Sequence, residues 1–161
     1  MSESTIPTSL TAAFATAPGA TFDIRSGDEV ALVPGDELVA FVTAVHAGGY
    51  EMFMDLCGVD YLSRNPRFEV AINLVSVSLG KRLRILVGVN GVDPTVPTIS
   101  GVYPGANFYE RETWDLLGIR FDGHPDLTRI LLPDEWEGHP LRKNSPVGSI
   151  PVQFKEANKA T

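Results

Sequence analysis

Residues 67–89 read RFEVAINLVSVSLGKRLRILVGV, and this stretch decides the fold class. Large apolar residues alternate with polar ones on both sides of residues 79–81, which is typical of two strands joined by a tight turn. The alternation changes phase before the turn, where Val75 and Val77 are apolar. We therefore predict an antiparallel hairpin with a bulge or sharp twist near Leu74 and Val75.

Weaker patterns on both sides of the hairpin predict further strands and helices. The alternation predicts strands at residues 22–25, 29–33 and 51–61, the last of them apolar on both faces and so covered on both sides. Helices are predicted at 8–17, at 36–47 with Asp36 as the N-cap, in a short stretch after Pro97, and from Pro104 to about Leu117, where Gly118 ends the last one. The fold class is α+β: a small mixed or antiparallel sheet with helices on one face, followed by a long irregular C-terminal arm.

Composition narrows the possible functions. The chain has 161 residues, which favours one domain, and a net charge of −7, which disfavours binding to nucleic acid or anionic lipid. It has neither a long apolar run nor a basic, apolar leader, so we expect no membrane span, no signal peptide and a cytoplasmic location. Cys57 is the single cysteine, so this chain alone cannot form a disulfide, a four-thiolate iron–sulfur cluster or a four-cysteine zinc site.

Residues 118–154 combine many helix and strand breakers with many large apolar residues. The breakers are Gly118, Gly123, Pro125, Pro133, Gly138, Pro140, Pro146, Gly148 and Pro151. Irregular segments this long are uncommon inside compact domains and are usually functional. We interpret the segment as an arm that buries its apolar side chains on another protein, although an arm wrapped over its own domain has the same composition. The predicted organisation is an N-terminal segment (1–20), an α+β domain (21–118) and a docking arm (119–161).

One part of the chain resembles a known family. The run YERETWDLLGIRFDGHPDLTRILLPDEWEGHPLRK, residues 109–143, closely resembles the signature of the 30-kDa subunit (the C subunit) of proton-pumping NADH–quinone oxidoreductase, or respiratory complex I. The upstream pieces MDLCGVDY, RFEVAINL, RLRILVGV and DPTVPTISGVYPGANFYERE also resemble that family. The resemblance extends over residues 22–154. Leu117 departs from the usual Phe or Tyr of the family. The pair Asn144-Ser145 replaces the more usual acidic and aromatic residues, and this second departure puts identical docking of the arm's end in doubt.

The resemblance implies a subunit of the peripheral arm with no cofactor and no active site of its own. Flavin, iron–sulfur clusters and quinone would belong to partner subunits. The chain would pack on the large hydrogenase-like subunit that forms the quinone cavity, at the cytoplasmic face of the membrane. There it would support electron transfer from NADH to quinone, coupled to proton translocation.

The expected subunit-interface residues lie on the last helix and the arm. They are Glu110, Arg111, Glu112, Asp115, Gly118, Phe121, Gly123, His124, Pro125, Arg129, Trp136, Gly138, Pro140, Leu141, Arg142 and Lys143. On the helix, Arg111 and Asp115 are four residues apart and are predicted to pair, while Trp114 and Leu117 are predicted to face the core with Asn107.

Other functions fit parts of the sequence. The equivalent subunit of a related membrane-bound hydrogenase complex would carry similar motifs. A small metalloenzyme would use His124 and His139 with Glu110 or Glu112, although a histidine between glycine and proline is more often a turn residue. A free-standing interaction module is a third possibility. The chain lacks nucleotide-binding glycine motifs, so we expect it to bind neither NADH nor nucleotide phosphate by itself.

Overall fold

The computed structural model describes residues 5–145. The strands are β1 (Thr21–Arg25), β2 (Asp28–Leu32), β3 (Met52–Asp60), β4 (Phe68–Ser76), β5 (Lys81–Val89), β6 (Thr95–Pro97) and β7 (Arg120–Asp122). The α-helices are α1 (Thr11–Thr16), α2 (Leu38–Ala47) and α3 (Ala106–Leu117), with 3-10 turns at Thr8–Leu10 and Gly35–Glu37. None of the helices in this described part is long and apolar enough to cross a membrane.

The main sheet is mixed and has five strands in the order β1-β2-β5-β4-β3. Strands β2 and β5 run parallel, whereas the other neighbours are antiparallel. Strands β6 and β7 form a separate parallel pair. The predicted α+β class with a small mixed sheet is therefore confirmed.

The core lies between the helices and one face of the sheet. Alternate residues of β4 and β5 are fully buried, because each strand presents every second side chain to the same face. Phe14 of α1 packs edge-to-face on Phe22 of β1 and on Phe41 of α2, with ring centroids 6.0 and 5.1 Å apart. A side chain at Gly58 of β3 would collide with Leu117, so α3 lies directly on that strand.

The bulge lies in β3 and not in β4, so its predicted position was wrong. Strands β4 and β5 pair without interruption as far as Ser76 and Lys81, and Ser76 is fully buried. Val77, whose apolar character suggested a change of phase, is already in the turn and is 70% exposed. The extra residue is Met54, where the pairing of β3 with β4 shifts.

Strand β3 has one largely exposed face, which corrects the prediction that both of its faces are covered. Leu56 is buried, but Met52 and Met54 are 50% and 44% exposed. The bulge explains the difference, because an inserted residue moves the side chains after it to the opposite face.

Two predictions based on local signals were also wrong. The stretch around Pro97 forms strand β6 and not a short helix, because it pairs with β7 about 25 residues later in the chain. Asp36 lies within a 3-10 turn and does not cap α2 with its side chain. The neighbouring Glu37 carboxylate instead accepts a hydrogen bond from the backbone N–H of Gly19, at 3.0 Å.

Candidate partner-docking site

Helix α3 carries most of the predicted interface residues and ends where the chain turns back. Gly118 ends it in the left-handed region with φ 70°, a conformation that glycine adopts without strain. The helix buries one face against the sheet, including Leu117 as predicted, whereas Trp114 and Asn107 are half-buried. The opposite face is left free to hold the chain that follows.

The arm runs along α3 and is bound once per helical turn. His124 Nε2 lies 3.3 Å from the carbonyl oxygen of Asn107. One turn further, Arg111 donates from Nε to the carbonyl of Thr128 at 3.1 Å and from Nη2 to the carbonyl of Arg129 at 2.9 Å. The described part of the arm is therefore aligned with α3 by its own polar contacts.

Asp115, one turn after Arg111, is the centre of this arrangement. Its fully buried carboxylate accepts hydrogen bonds from three consecutive backbone N–H groups, those of Ile130, Leu131 and Leu132, at 3.1, 2.9 and 3.0 Å. Arg129 donates to the other carboxylate oxygen at 2.5 Å. Burial by itself would raise the pKa of Asp115, but these donors outweigh it and lower the pKa to about 2.

Arg129 also closes the chain that follows into a loop. Its Nη2 donates to the carbonyl oxygens of Trp136 at 2.6 Å and of Gly138 at 3.3 Å. We call residues 129–138 the docking loop. The predicted pair between Arg111 and Asp115 is wrong, because Arg129 occupies that position while Arg111 binds arm carbonyls.

The next residues of the arm cover the end of α3. His139 Nδ1 lies 2.9 Å from the carbonyl of Asp115, and Arg142 donates to the carbonyls of Leu117 and Gly118 at 2.6 and 3.2 Å. These carbonyls have no partner within the helix and carry its negative dipole end, so a guanidinium satisfies them well. Burial lowers the pKa of Arg142, which nevertheless stays charged at any physiological pH.

The last described residues bind the end of the sheet. The backbone N–H of Lys143 donates to the Asp60 carboxylate at 2.9 Å, and Arg67 donates to the same carboxylate at 2.8 and 2.7 Å. The hydrogen bonds from Arg67 are the main reason that the pKa of Asp60 lies far below its usual range, and the backbone N–H groups of Lys143 and Leu62 lower it further. Arg67 also donates to the Asn144 side chain at 2.9 Å. Asp60 and Arg67 were missed from the sequence, since only the fold brings them to the arm.

Glu110 is buried inside the domain and binds the loop after β6. Thr98 donates to its carboxylate at 2.5 Å, and the backbone N–H of Ile99 donates at 2.8 Å. His124 Nε2 lies 3.8 Å away, while its Nδ1 lies 3.1 Å from the backbone N–H of Asp126, which donates to it. Burial raises the pKa of Glu110. These contacts join the β6–β7 pair to α3.

The arrangement of the histidines does not support the metalloenzyme. His124 contacts the helix at Asn107 and His139 contacts it at Asp115. Eight residues of α-helix span about 12 Å, which is too far for one ligand sphere. Among residues 5–145 no cluster of three or more histidine, cysteine or acidic residues could hold a metal ion.

The predicted interface residues fall into three classes of exposure. Glu110, Asp115, Gly118 and Phe121 are buried; Arg111, His124, Arg129, Trp136, Pro140 and Arg142 are half-buried; Glu112, Gly123, Pro125, Gly138, Leu141 and Lys143 are exposed. The arm also exposes large apolar side chains, with Leu131 at 60%, Leu141 at 58% and Ile130 at 39%. Only the shorter stretch of arm from 146 to 161 lies outside the described residues.

Comparison with known sequences identifies the family. Residues 31–150 match the family described as respiratory-chain NADH dehydrogenase, 30 Kd subunit. The chain belongs to this family. The match covers α2, strands β3 to β7, α3 and the docking loop, and it confirms the resemblance of the 109–143 signature to the 30-kDa subunit of complex I.

Relatives named as the C subunit of NADH-quinone oxidoreductase include one from Roseiflexus sp. (strain RS-1), 52% identical over 105 residues, or 65% of this chain and 60% of the relative. Another, from Rhizobium etli (strain ATCC 51251 / DSM 11541 / JCM 21823 / NBRC 15573 / CFN 42), is 40% identical over 144 residues, or 87% of this chain and 72% of the relative. The alignment thus spans about 60% of the length of the first relative.

Two solved structures are similar to this 30-kDa-subunit fold. One is described as the trypsin-resistant fragment (1-134) of Nqo5, with a TM-score of 0.64, 34% identity, and coverage of 71% of this chain and 93% of that one. The other comes from the membrane-bound sulfane sulfur reductase, an archaeal respiratory membrane complex, with a TM-score of 0.74, 22% identity, and coverage of 92% and 94%. At that identity the second likeness shows the fold alone.

Proposed function

We propose that this chain is a structural subunit of the peripheral arm of NADH–quinone oxidoreductase, at the cytoplasmic face of the membrane. It packs on the large hydrogenase-like subunit that forms the quinone cavity and supports electron transfer from NADH to quinone with proton translocation. Flavin, iron–sulfur clusters and quinone belong to partner subunits. The family membership supports this proposal, and so does the single cysteine, since a cluster usually needs four thiolates.

The exposed apolar side chains of the arm carry the docking part of the proposal. Leu131 and Leu141 are more than half exposed although the surrounding backbone is bound to α3. Large apolar groups on an otherwise ordered surface are typical of protein–protein contacts. The proposed contact surface consists of Leu131 and the predicted residues that are exposed, namely Glu112, Gly123, Pro125, Gly138, Leu141 and Lys143. The buried predicted residues, such as Asp115, hold the arm in place from within the chain.

The test is co-purification of the full-length, tagged chain with the large subunit from solubilised membranes. We expect the double variant L131S/L141S to reduce the recovered large subunit about tenfold or more, since each leucine buried at an interface contributes on the order of 1–2 kcal/mol. V77S is the matched control, because Val77 is 70% exposed in the β4–β5 turn, away from the arm. Equal recovery with all three proteins would refute the proposed docking surface.

Arg111 provides a second test that does not alter the apolar surface. We expect R111A to lower retention in the complex, because the variant loses the two hydrogen bonds that hold the carbonyls of Thr128 and Arg129. R82A is its control, an arginine-to-alanine change outside the predicted interface. Arg82 is exposed on β5 and pairs with Val75, at the end of the sheet opposite to Asp60. R111A that co-purifies like wild type would contradict a role for this contact in docking.

A component of a related membrane complex with another electron donor is the second candidate. This candidate is supported by the fold that the chain shares with a chain of the sulfane sulfur reductase complex. Identification of the proteins that co-purify with this chain separates the two. Flavin-containing NADH-oxidising subunits support the first candidate, whereas hydrogen- or sulfur-metabolising subunits without them support the second.

A further inference from the structure

The docking loop has a fixed shape before any partner binds. Three consecutive N–H groups at its start are held by Asp115, and Arg129 joins its start to the carbonyls of Trp136 and Gly138 near its end. A loop closed in this way loses little conformational entropy when it docks. The partner's binding site should therefore be complementary to the exposed groups that the loop already presents.

That surface has two kinds of exposed group. Ile130 and Leu131 are exposed apolar side chains in the first half of the loop. The second half of the loop has three exposed carboxylates, those of Asp134, Glu135 and Glu137. The positive charge of Arg129 is neutralised by Asp115 at 2.5 Å, so the exposed charges of the loop are all negative.

We propose that the docking loop inserts Ile130 and Leu131 into an apolar pocket of the partner subunit whose rim carries lysine or arginine side chains. This inference rests on the proposed function and adds the chemistry of the partner. The carboxylates face that basic rim and speed up association, while the apolar pair determines how long the complex lasts. Nucleic acid and anionic lipid do not fit, because the loop's carboxylates repel both.

The experiment measures rebinding of the full-length chain to a peripheral-arm complex from which this subunit has been removed, at low and at high salt. We expect the association rate of wild type to fall steeply as salt rises. The variant D134N/E135Q/E137Q removes three charges at nearly constant side-chain size. We expect it to associate about tenfold more slowly at low salt, and its rate to depend much less on salt. I130S should instead shorten the lifetime and leave the salt dependence as in wild type.

The control is D36N/E51Q/D93N, which removes three exposed carboxylates elsewhere and should bind like wild type. A wild-type association rate that is independent of salt, or a loop variant that associates as fast as wild type, would overturn the basic rim while leaving the docking surface intact. Equal slowing by the control would show an effect of net charge and not of the loop, which also overturns it. Failure of wild type itself to rebind would count against the proposed function.

Discussion

Replacing Asp115 with asparagine tests how the arm is held. Asparagine has nearly the same size, but it carries no charge for Arg129 and offers one acceptor oxygen in place of two. The folded structure lowers the pKa of Asp115 from 3.8 to about 2. A shift of this size corresponds to about 2 kcal/mol of stabilisation at neutral pH. We expect D115N to lose about that amount of unfolding free energy at pH 7.

The dependence on pH gives this prediction its sign. The folded pKa lies below the unfolded value, so the stabilisation by Asp115 is complete above about pH 5 and is lost as the pH falls through about 2. The assay is urea unfolding of wild type and D115N from pH 7 down to pH 2.5. Because all other carboxylates are common to both proteins, the difference between the two free energies isolates Asp115.

We expect that difference to be about 2 kcal/mol at pH 7 and to shrink below about pH 4. D36N is the control, since Asp36 is exposed, and its difference from wild type should be close to zero at every pH. A gap between wild type and D115N that stays constant on acidification would refute the electrostatic reasoning. A gap below about 0.5 kcal/mol at pH 7 would show that the arm contributes nothing to the cooperative unfolding.

Two further predictions concern the packing and the buried carboxylate of α3. G58V should lower the unfolding free energy by about 1–3 kcal/mol, because the added side chain collides with Leu117. The measurement is the melting temperature, which should be lower than that of the control G101A, whose new Cβ meets nothing within 4 Å. E110Q should be as stable as wild type at pH 7 or up to about 1 kcal/mol more stable. Burial raises the pKa of Glu110 and so favours an uncharged side chain at this position. The Thr98 hydroxyl, which now donates to Glu110, can instead accept a hydrogen bond from the new amide. Urea unfolding at pH 7 measures the change, and a loss of more than about 1 kcal/mol would contradict this reasoning.

The sequence predicted the parts of the fold whose patterns are local. The β4–β5 hairpin and α3 follow from periodicity and from turn residues such as Gly118, so both could be placed to within a few residues. The parallel pairings of β2 with β5 and of β6 with β7 join segments far apart in the chain, and no local pattern carries that information. The misplaced bulge has a similar cause, because it depends on how β3 pairs and not on its composition.

The contacts of the site were harder to predict than its residues. The four-residue spacing of Arg111 and Asp115 suggested a helix-surface pair, which contributes only a few tenths of a kcal/mol. Three backbone donors and Arg129 outweigh such a pair, but backbone donors leave no trace in the sequence. For the same reason the composition of the arm could not show that α3 already provides hydrogen-bond partners for much of the arm's backbone. The interface assignment of these residues stays a prediction.

The Asp115 carboxylate holds residues 130–132 only through their main-chain N–H groups. The geometry of that segment is consequently independent of which side chains it carries, provided that none is proline, which lacks the N–H group. Shape and chemical identity are thus encoded at separate positions. The three side chains can be rewritten to match a different pocket while a single aspartate on the neighbouring helix keeps the scaffold in place.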